Sequence, residues 1–290
     1  MSCESNPANN AFLYEKSQFV VFSRETIVLL SVRTGSSRYF SRRGVLPVRV
    51  SDPTLLTPVV FPEPELYLMD DMHLSGLRGF KLVLSGYWEV PDGLSPDAVR
   101  ENHETDAEAD LYEIAAQFSR AGARTDIQLQ FGATGAAERE YQSRLAAETG
   151  ADGVLLAEEL QSVHNILVPL RDSRHQAEIV DLVSGFDADS LFILELYHVT
   201  PDDAAVDAAT DMLRDVEDTL LDRGFSEADL EVTVEVAEDP NAALAATARD
   251  HHMVVLGETE QPEVSNQLFG PVCTYIAEES GTPIIVVREL

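Results

Sequence analysis

The sequence predicts an α/β protein made of two parallel-sheet units, the first of which is truncated after its fourth strand. From residue 51 onward, short apolar runs alternate with segments of helical periodicity, which is typical of βαβ units. The last run, Pro283–Val287, is continuously apolar, as in a parallel strand buried on both faces. The pattern also repeats in order along the chain. The matching segments are Leu55–Val59 with Ile166–Leu170, Leu82–Leu84 with Phe192–Leu194, and Gly153–Leu156 with Met253–Leu256.

The second half contains a complete set of five strands, each a short apolar or alternating run bounded by turn residues. The predicted strands are Asn165–Leu170, Leu191–Tyr197, Leu230–Val236, Met253–Leu256 and Pro283–Val287. The predicted helices between them are His175–Phe186, Asp203–Arg223, Asn241–Asp250 and Pro271–Glu279.

The first half follows the same order but stops early. Its predicted strands are Leu55–Val60, Phe80–Ser85, Asp126–Phe131 and Gly153–Ala157, with helices at Ala107–Ala121 and Gly135–Thr149. The segment after Ala157 runs directly into the next unit, so the last helix and last strand have no counterpart. We therefore expect a truncated domain over 51–160 and a complete one over 161–290.

Residues 1–50 differ in charge from the rest of the chain. They hold seven basic and three acidic residues, whereas residues 51–290 hold 13 basic and 48 acidic ones. Such asymmetry marks a separate segment. It is interpreted as a strand-forming arm, a basic tail, or a stretch foreign to the natural protein, and we favour the last. Its apolar runs are too short and too charged to form a membrane span or a signal peptide.

The composition excludes several classes of function. The formal net charge of −31 argues against nucleic-acid binding and against docking on anionic lipid. Only two of the 20 basic residues are lysine, and this composition is typical of salt-adapted organisms, in which about 1 M salt screens charges beyond about 3 Å. The two cysteines, Cys3 and Cys273, form no disulfide framework or metal motif, which indicates a reducing, cytoplasmic location.

The second half resembles the universal stress protein (Usp) family, and residues 51–290 resemble a tandem pair of Usp domains of haloarchaeal type. The resemblance rests on Ile166–Pro169, Val254–Gly257 and the closing segment Thr282–Arg288. It implies two Usp-like units of the adenine nucleotide alpha hydrolase-like α/β fold. It also implies a stress-response role, frequent dimerisation and, in some members, ATP binding through a G-x2-G-x9-G-[S/T] loop.

That loop keeps its spacing in this chain but loses part of its chemistry. Gly257 and Gly270 occupy the first and third glycine positions, whereas Glu260 and Pro271 replace the second glycine and the hydroxyl residue. Proline supplies no amide donor, and a carboxylate about 4 Å from a phosphate costs about 4 kcal/mol at an effective dielectric near 20. The degenerate loop therefore predicts weak or absent binding of ATP or AMP.

The loop after the first strand of the second half carries the remaining candidate residues. The acid that the resemblance places there appears as Arg171, with Asp172 next to it, and a shift of one residue would restore the acid. Arg171 and Arg174 are either a small anion-binding patch or ordinary ion-paired arginines. Gly257 is either a ligand contact or a tight turn at a strand end. Gly270-Pro271 is also a sound helix start.

No catalytic or metal site is predicted. His251 and His252 cannot both face one site from a regular element, and no HxxxH or HExxH spacing exists. There is no GxSxG, Walker A or GxGxxG motif. Cys273 is expected in an amphipathic helix without a basic partner.

These observations favour a non-enzymatic regulatory or protective protein that acts by association. We expect a homodimer formed through an unpaired, apolar edge at Pro283–Val287. Two alternatives stay open. One is an adenine-nucleotide-binding stress protein with slow hydrolase activity at Gly257, Gly270 and Asp172. The other is a regulatory module that binds an amino-acid transporter, since the chain itself has no membrane-inserted segment.

Overall fold

A computed structural model describes residues 52–64, 67–68, 70–133, 135–157, 159–257 and 271–288. These residues all belong to one compact unit, Arg49–Leu290. The interpretations of residues 1–50 fall on a segment outside the described residues and stay predictions, as does a domain boundary near residue 160.

Eleven strands and six α-helices make up the described part of the chain. In the first half they are β1 (Thr54–Phe61), β2 (Tyr67–Leu68), β3 (Lys81–Glu89), α1 (Pro96–Ala121), β4 (Arg124–Gly132), α2 (Ala136–Thr149) and β5 (Gly153–Leu156). A short strand, β6 (Glu159–Leu160), pairs with β2. In the second half they are β7 (Asn165–Pro169), α3 (Gln176–Val183), β8 (Ile193–Thr200), α4 (Val206–Asp222), β9 (Leu230–Val236), α5 (Pro240–Ala248), β10 (Met253–Gly257), α6 (Pro271–Ser280) and β11 (Ile284–Val287).

The strand and helix order predicted from the sequence is confirmed, with most boundaries shifted by one to three residues. The short strands β2 and β6 were not predicted, and β3 ends at Glu89 instead of Ser85. The largest shift is in α1, which begins at Pro96 instead of Ala107. Its first eleven residues bury only Val99, so they carry no apolar periodicity that could reveal a helix. Proline at the first helical position fits this start, because its fixed φ suits a helix and its missing N–H costs no hydrogen bond there.

Nine strands form one sheet in the order β4-β3-β1-β5-β11-β10-β7-β8-β9. All neighbours are parallel except β5 and β11, which pair antiparallel with Ile285 opposite Leu155. The second half has the five-strand order β9-β8-β7-β10-β11, and the first half repeats its first four strands as β4-β3-β1-β5. The place of the missing fifth strand is therefore occupied by β11 of the other half.

This pairing corrects the expectation of an unpaired edge at Pro283–Val287. Both edges of β11 are hydrogen-bonded within the chain, to β10 on one side and to β5 on the other. A second copy could not pair with this strand without displacing β5. A homodimer formed through the C-terminal strand is thus wrong for this fold.

Helices cover both faces of the sheet, which explains why its central strands are continuously apolar. One face packs against α1, α3 and α4 in a core that extends through both halves. The other face packs against α2 in the first half and against α5 and α6 in the second. Neighbouring residues of one strand face opposite cores: Ile284 lies in one cluster and Ile285 in the other.

Candidate functional site

A cavity of about 210 Å³ opens at the carboxyl ends of β7, β8 and β10. Ligands of open parallel sheets bind at this edge, where loops leave the strands. Its walls are mainly apolar, and its polar residues come from the loop after β7, from Tyr197 of β8 and from the start of α5. The apolar lining is Pro169, Leu170, Ile179, Val199, Pro240, Leu244, Leu256 and Val272; the remaining lining residues are Arg171, Asp172, Arg174, His175, Tyr197, Asn241 and Gly257.

The loop after β7 folds around the carboxylate of Asp172. The backbone N–H of Arg174 donates to Asp172 Oδ1 at 2.9 Å, and the Arg174 guanidinium donates to Asp172 Oδ2 at 2.7 Å. Hydrogen bonds from Arg174 hold the pKa of Asp172 far below its usual range, so the carboxylate stays ionised. Arg171 makes a weaker contact, with its Nε 3.4 Å from Asp172 Oδ2.

His175, which precedes α3, packs closely against Gly257 at the end of β10. His175 has φ of 55°, a left-handed conformation that turns the chain into α3. A Cβ on Gly257 would lie 3.1 Å from the Cβ of His175 and 3.3 Å from its ring. A glycine at this strand end therefore permits the close approach of the His175 side chain, whether or not a ligand binds.

Tyr197 closes the cavity from the sheet side and is only 1% exposed. Its hydroxyl donates to the Glu235 carboxylate and accepts from Thr247 Oγ1 at 3.2 Å. Burial, followed by the hydrogen bond to Glu235, raises the pKa of Tyr197, so its hydroxyl remains protonated. The ring thus offers a fixed apolar surface to the cavity while its polar end is used elsewhere.

The structure brings together three of the four site residues predicted from the sequence: Arg171, Asp172 and Gly257 line one cavity. The fourth, Gly270, lies outside the described residues, as does Glu260. Pro271 begins α6. Tyr197 was not predicted to belong to the site. The available signal was its place at the end of the predicted strand Leu191–Tyr197, because the carboxyl ends of parallel strands meet at the edge where ligands bind.

His251, His252 and Cys273 are not among the residues that line the cavity. His251 Nε2 lies 3.0 Å from Glu195 Oε2, whereas His252 Nδ1 accepts the backbone N–H of Asn165 at 3.2 Å. Cys273 is buried in α6, and burial raises the pKa of its thiol to about 12. Within the described ranges, no group of three or more His, Cys, Asp or Glu side chains is arranged to hold a metal ion.

No helix among the described residues is long and apolar enough to cross a membrane. This finding applies to the six helices given above.

Comparison with known proteins relates this fold to one family. Residues 162–288 match the model of the Universal stress protein family. The crystal structure of a universal stress protein from Archaeoglobus fulgidus DSM 4304 is similar, with a TM-score of 0.55 and 12% sequence identity. The similarity covers 83% of this chain and 98% of that chain, and at this identity it shows the fold alone.

A crystal structure of a universal stress protein in complex with cAMP is 22% identical and covers 44% of this chain and 98% of that chain, with a TM-score of 0.36. Among curated protein sequences, none matches this chain significantly.

Proposed function

We propose that this chain is a non-enzymatic regulatory or protective protein with a small-ligand site that disfavours ATP. The match of residues 162–288 to the Universal stress protein family model supports this proposal. The observation that carries this proposal is the loop after β7. Asp172 is the carboxylate at the cavity, and its two oxygens already accept hydrogen bonds from Arg174. Arg171 stands where the family resemblance places an acid.

The geometry of this loop supports weaker nucleotide binding than the family motif implies. A carboxylate held by a guanidinium and a backbone N–H has few lone pairs left for the donors of a nucleoside. Breaking the Asp172–Arg174 pair to free them would cost part of the binding free energy. In addition, Glu260 and Pro271 occupy the motif positions that supply close approach and a hydroxyl donor.

Equilibrium dialysis of ATP and AMP against the full chain in molar KCl tests the proposal. We expect no binding up to millimolar ligand, and binding at micromolar strength would overturn the proposal. The double variant Glu260→Gly with Pro271→Ser restores the motif residues and should increase ATP binding. Glu263→Gly is the matched control, because it removes a carboxylate from the same segment at a position outside the motif.

We further propose that the protein acts by association with a protein partner or with a second copy through a surface other than β11. The measurement is molar mass by light scattering in molar KCl, with the partner search following from the same preparation. A strict monomer that captures no partner from its native source would contradict this part of the proposal.

A second candidate function is adenine-nucleotide binding with slow hydrolysis. It is favoured by the meeting of Arg171, Asp172 and Gly257 at one cavity beyond parallel strands. Release of inorganic phosphate from ATP by the full chain distinguishes it. Phosphate release that disappears in an Asp172→Asn variant would support this candidate over the first.

A further inference from the structure

The cavity combines an apolar interior with an excess of positive charge among its described lining residues. Two guanidinium groups, Arg171 and Arg174, face one carboxylate, Asp172. This balance is unusual in a chain with a formal net charge of −31. It places a cationic edge beside a pocket whose walls are aliphatic and aromatic.

The two arginines differ in how they are held. Arg174 contacts both oxygens of Asp172, at 3.2 Å to Oδ1 and 2.7 Å to Oδ2, and so compensates its charge. Arg171 touches Asp172 through Nε at 3.4 Å, near the limit of a hydrogen bond, and its side chain is 72% exposed. Asp172 therefore compensates the charge of Arg171 less than it compensates that of Arg174.

Two acidic groups of the described residues, one beside Pro240 of the lining and one bonded to Tyr197, accept hydrogen bonds of their own. Asp239 accepts the backbone N–H groups of Asn241 and Ala242 at the start of α5, each at 3.1 Å. Glu235 accepts the Tyr197 hydroxyl. Among the described residues, the ion pair of Arg171 is with Asp172, and neither Asp239 nor Glu235 pairs with it.

We propose that the cavity binds small organic anions, with an apolar body between its aliphatic walls and Tyr197 and a carboxylate or phosphate on Arg171. This inference deepens the proposed ligand site and rests on it. A guanidinium can donate two parallel hydrogen bonds to a carboxylate or phosphate, and charge-assisted bonds of this kind are stronger than neutral ones. The apolar walls would contribute by removing ligand surface from water.

Four probes of one ring size separate charge from shape: benzoate, phenyl phosphate, the neutral benzamide and the cationic benzamidine. Their dissociation constants would be measured on the full chain by ligand-observed NMR titration in molar KCl. We expect benzoate to bind about threefold to fivefold more tightly than benzamide, because an ion pair with an exposed guanidinium contributes little and molar salt screens it further. The comparison of benzoate with phenyl phosphate shows which anionic group the site prefers.

The variant Arg171→Gln should abolish the difference between benzoate and benzamide, and Arg171→Lys should keep part of it. Arg144→Gln is the matched control, an exposed arginine on α2 paired with Glu148. Thermal unfolding of each variant shows whether it is folded.

The possible results distinguish failure of the ligand site from failure of its preference for anions. If none of the four probes binds, the ligand site itself fails. If they bind without preference for the anion, if benzamidine binds best, or if Arg171→Gln changes nothing, the ligand site stands and the anion assignment is overturned.

Discussion

The adjacent residues His251 and His252 should affect stability with opposite dependence on pH. The ring Nδ1 of His252 accepts a hydrogen bond from the backbone N–H of Asn165, and the backbone N–H of His252 donates to the Asn165 carbonyl at 2.9 Å. A proton on His252 Nδ1 would face that N–H and remove the acceptor. Burial, followed by the neighbouring imidazoles of His164, His251 and His73, lowers the pKa of His252.

His251 behaves in the reverse way. Burial lowers its pKa, but the hydrogen bond to the Glu195 carboxylate, the bond to the Thr247 carbonyl and the charges of nearby acids outweigh burial, so the pKa is raised. The Glu195 pKa is lowered in turn, chiefly by the hydrogen bond from His251. His251 therefore stabilises the fold below its unfolded pKa of about 6.5, and this contribution is lost as the pH rises through its folded pKa.

The direction in which stability changes with pH at His252 follows from proton binding in the folded and unfolded states. Below about pH 6.5 the unfolded chain takes up a proton at this residue that the native state resists, so stability falls as the pH falls. A native state that never protonated would lose about 2 kcal/mol by pH 5. Because solvent partly reaches His252, we expect about half of this value, about 1 kcal/mol.

The assay is urea unfolding in molar KCl, followed by far-UV circular dichroism, from about pH 7.5 to about pH 5. As the pH falls over this range, the free energy of unfolding of His252→Gln should rise by about 1 kcal/mol relative to that of the wild type. That of His251→Gln should fall relative to the wild type over the same range. His103→Gln, a change at the exposed histidine stacked on Trp88, is the control. A free-energy difference for His252→Gln that is independent of pH, or of the opposite sign, would refute the reasoning.

Three further predictions concern the packing. Gly79→Ala should destabilise the fold by about 3 kcal/mol or more, because its Cβ would lie 2.1 Å from the Gly185 carbonyl oxygen. Gly93→Ala, with φ of 86° and open space around it, should cost only about 1 kcal/mol. Equal costs for the two variants in urea unfolding would contradict this prediction. Ile285→Ala should lower the free energy of unfolding by about 2–5 kcal/mol, and the protein should still unfold in a single transition that Trp88 fluorescence and circular dichroism report alike. Separate transitions by the two signals would mean that the halves unfold independently. In a Cys3→Ser background, Cys273 should react with iodoacetamide only after denaturation, and rapid labelling of the native protein would show that its thiol is accessible.

Much of the fold was predictable because its signals are local. Continuous apolar runs mark strands covered on both faces, and the internal repeat gave the same element order twice. The residues after β7 and β10 could be predicted to meet because strand ends in parallel sheets gather at one edge. Arg171, Asp172 and Gly257 do line one cavity there.

Features that depend on distant partners could not be predicted. The sequence of β11 shows an apolar strand but not its neighbours, and only the tertiary structure places it between β10 and β5. Similarly, the sequence left open whether Arg171 and Arg174 are free or paired, and the turn geometry assigns Asp172 to Arg174.

By itself the sequence determined the fold class, the order of the main elements and which loop residues would meet at one edge of the sheet, since these follow from periodicity and from turn residues close together in the chain. The tertiary structure alone decided that the two halves share one sheet and that Tyr197 closes the cavity. The physical reason is that strand pairing and cavity shape are set by hydrogen bonds and contacts between residues far apart in sequence, whose choice of partner no local pattern records.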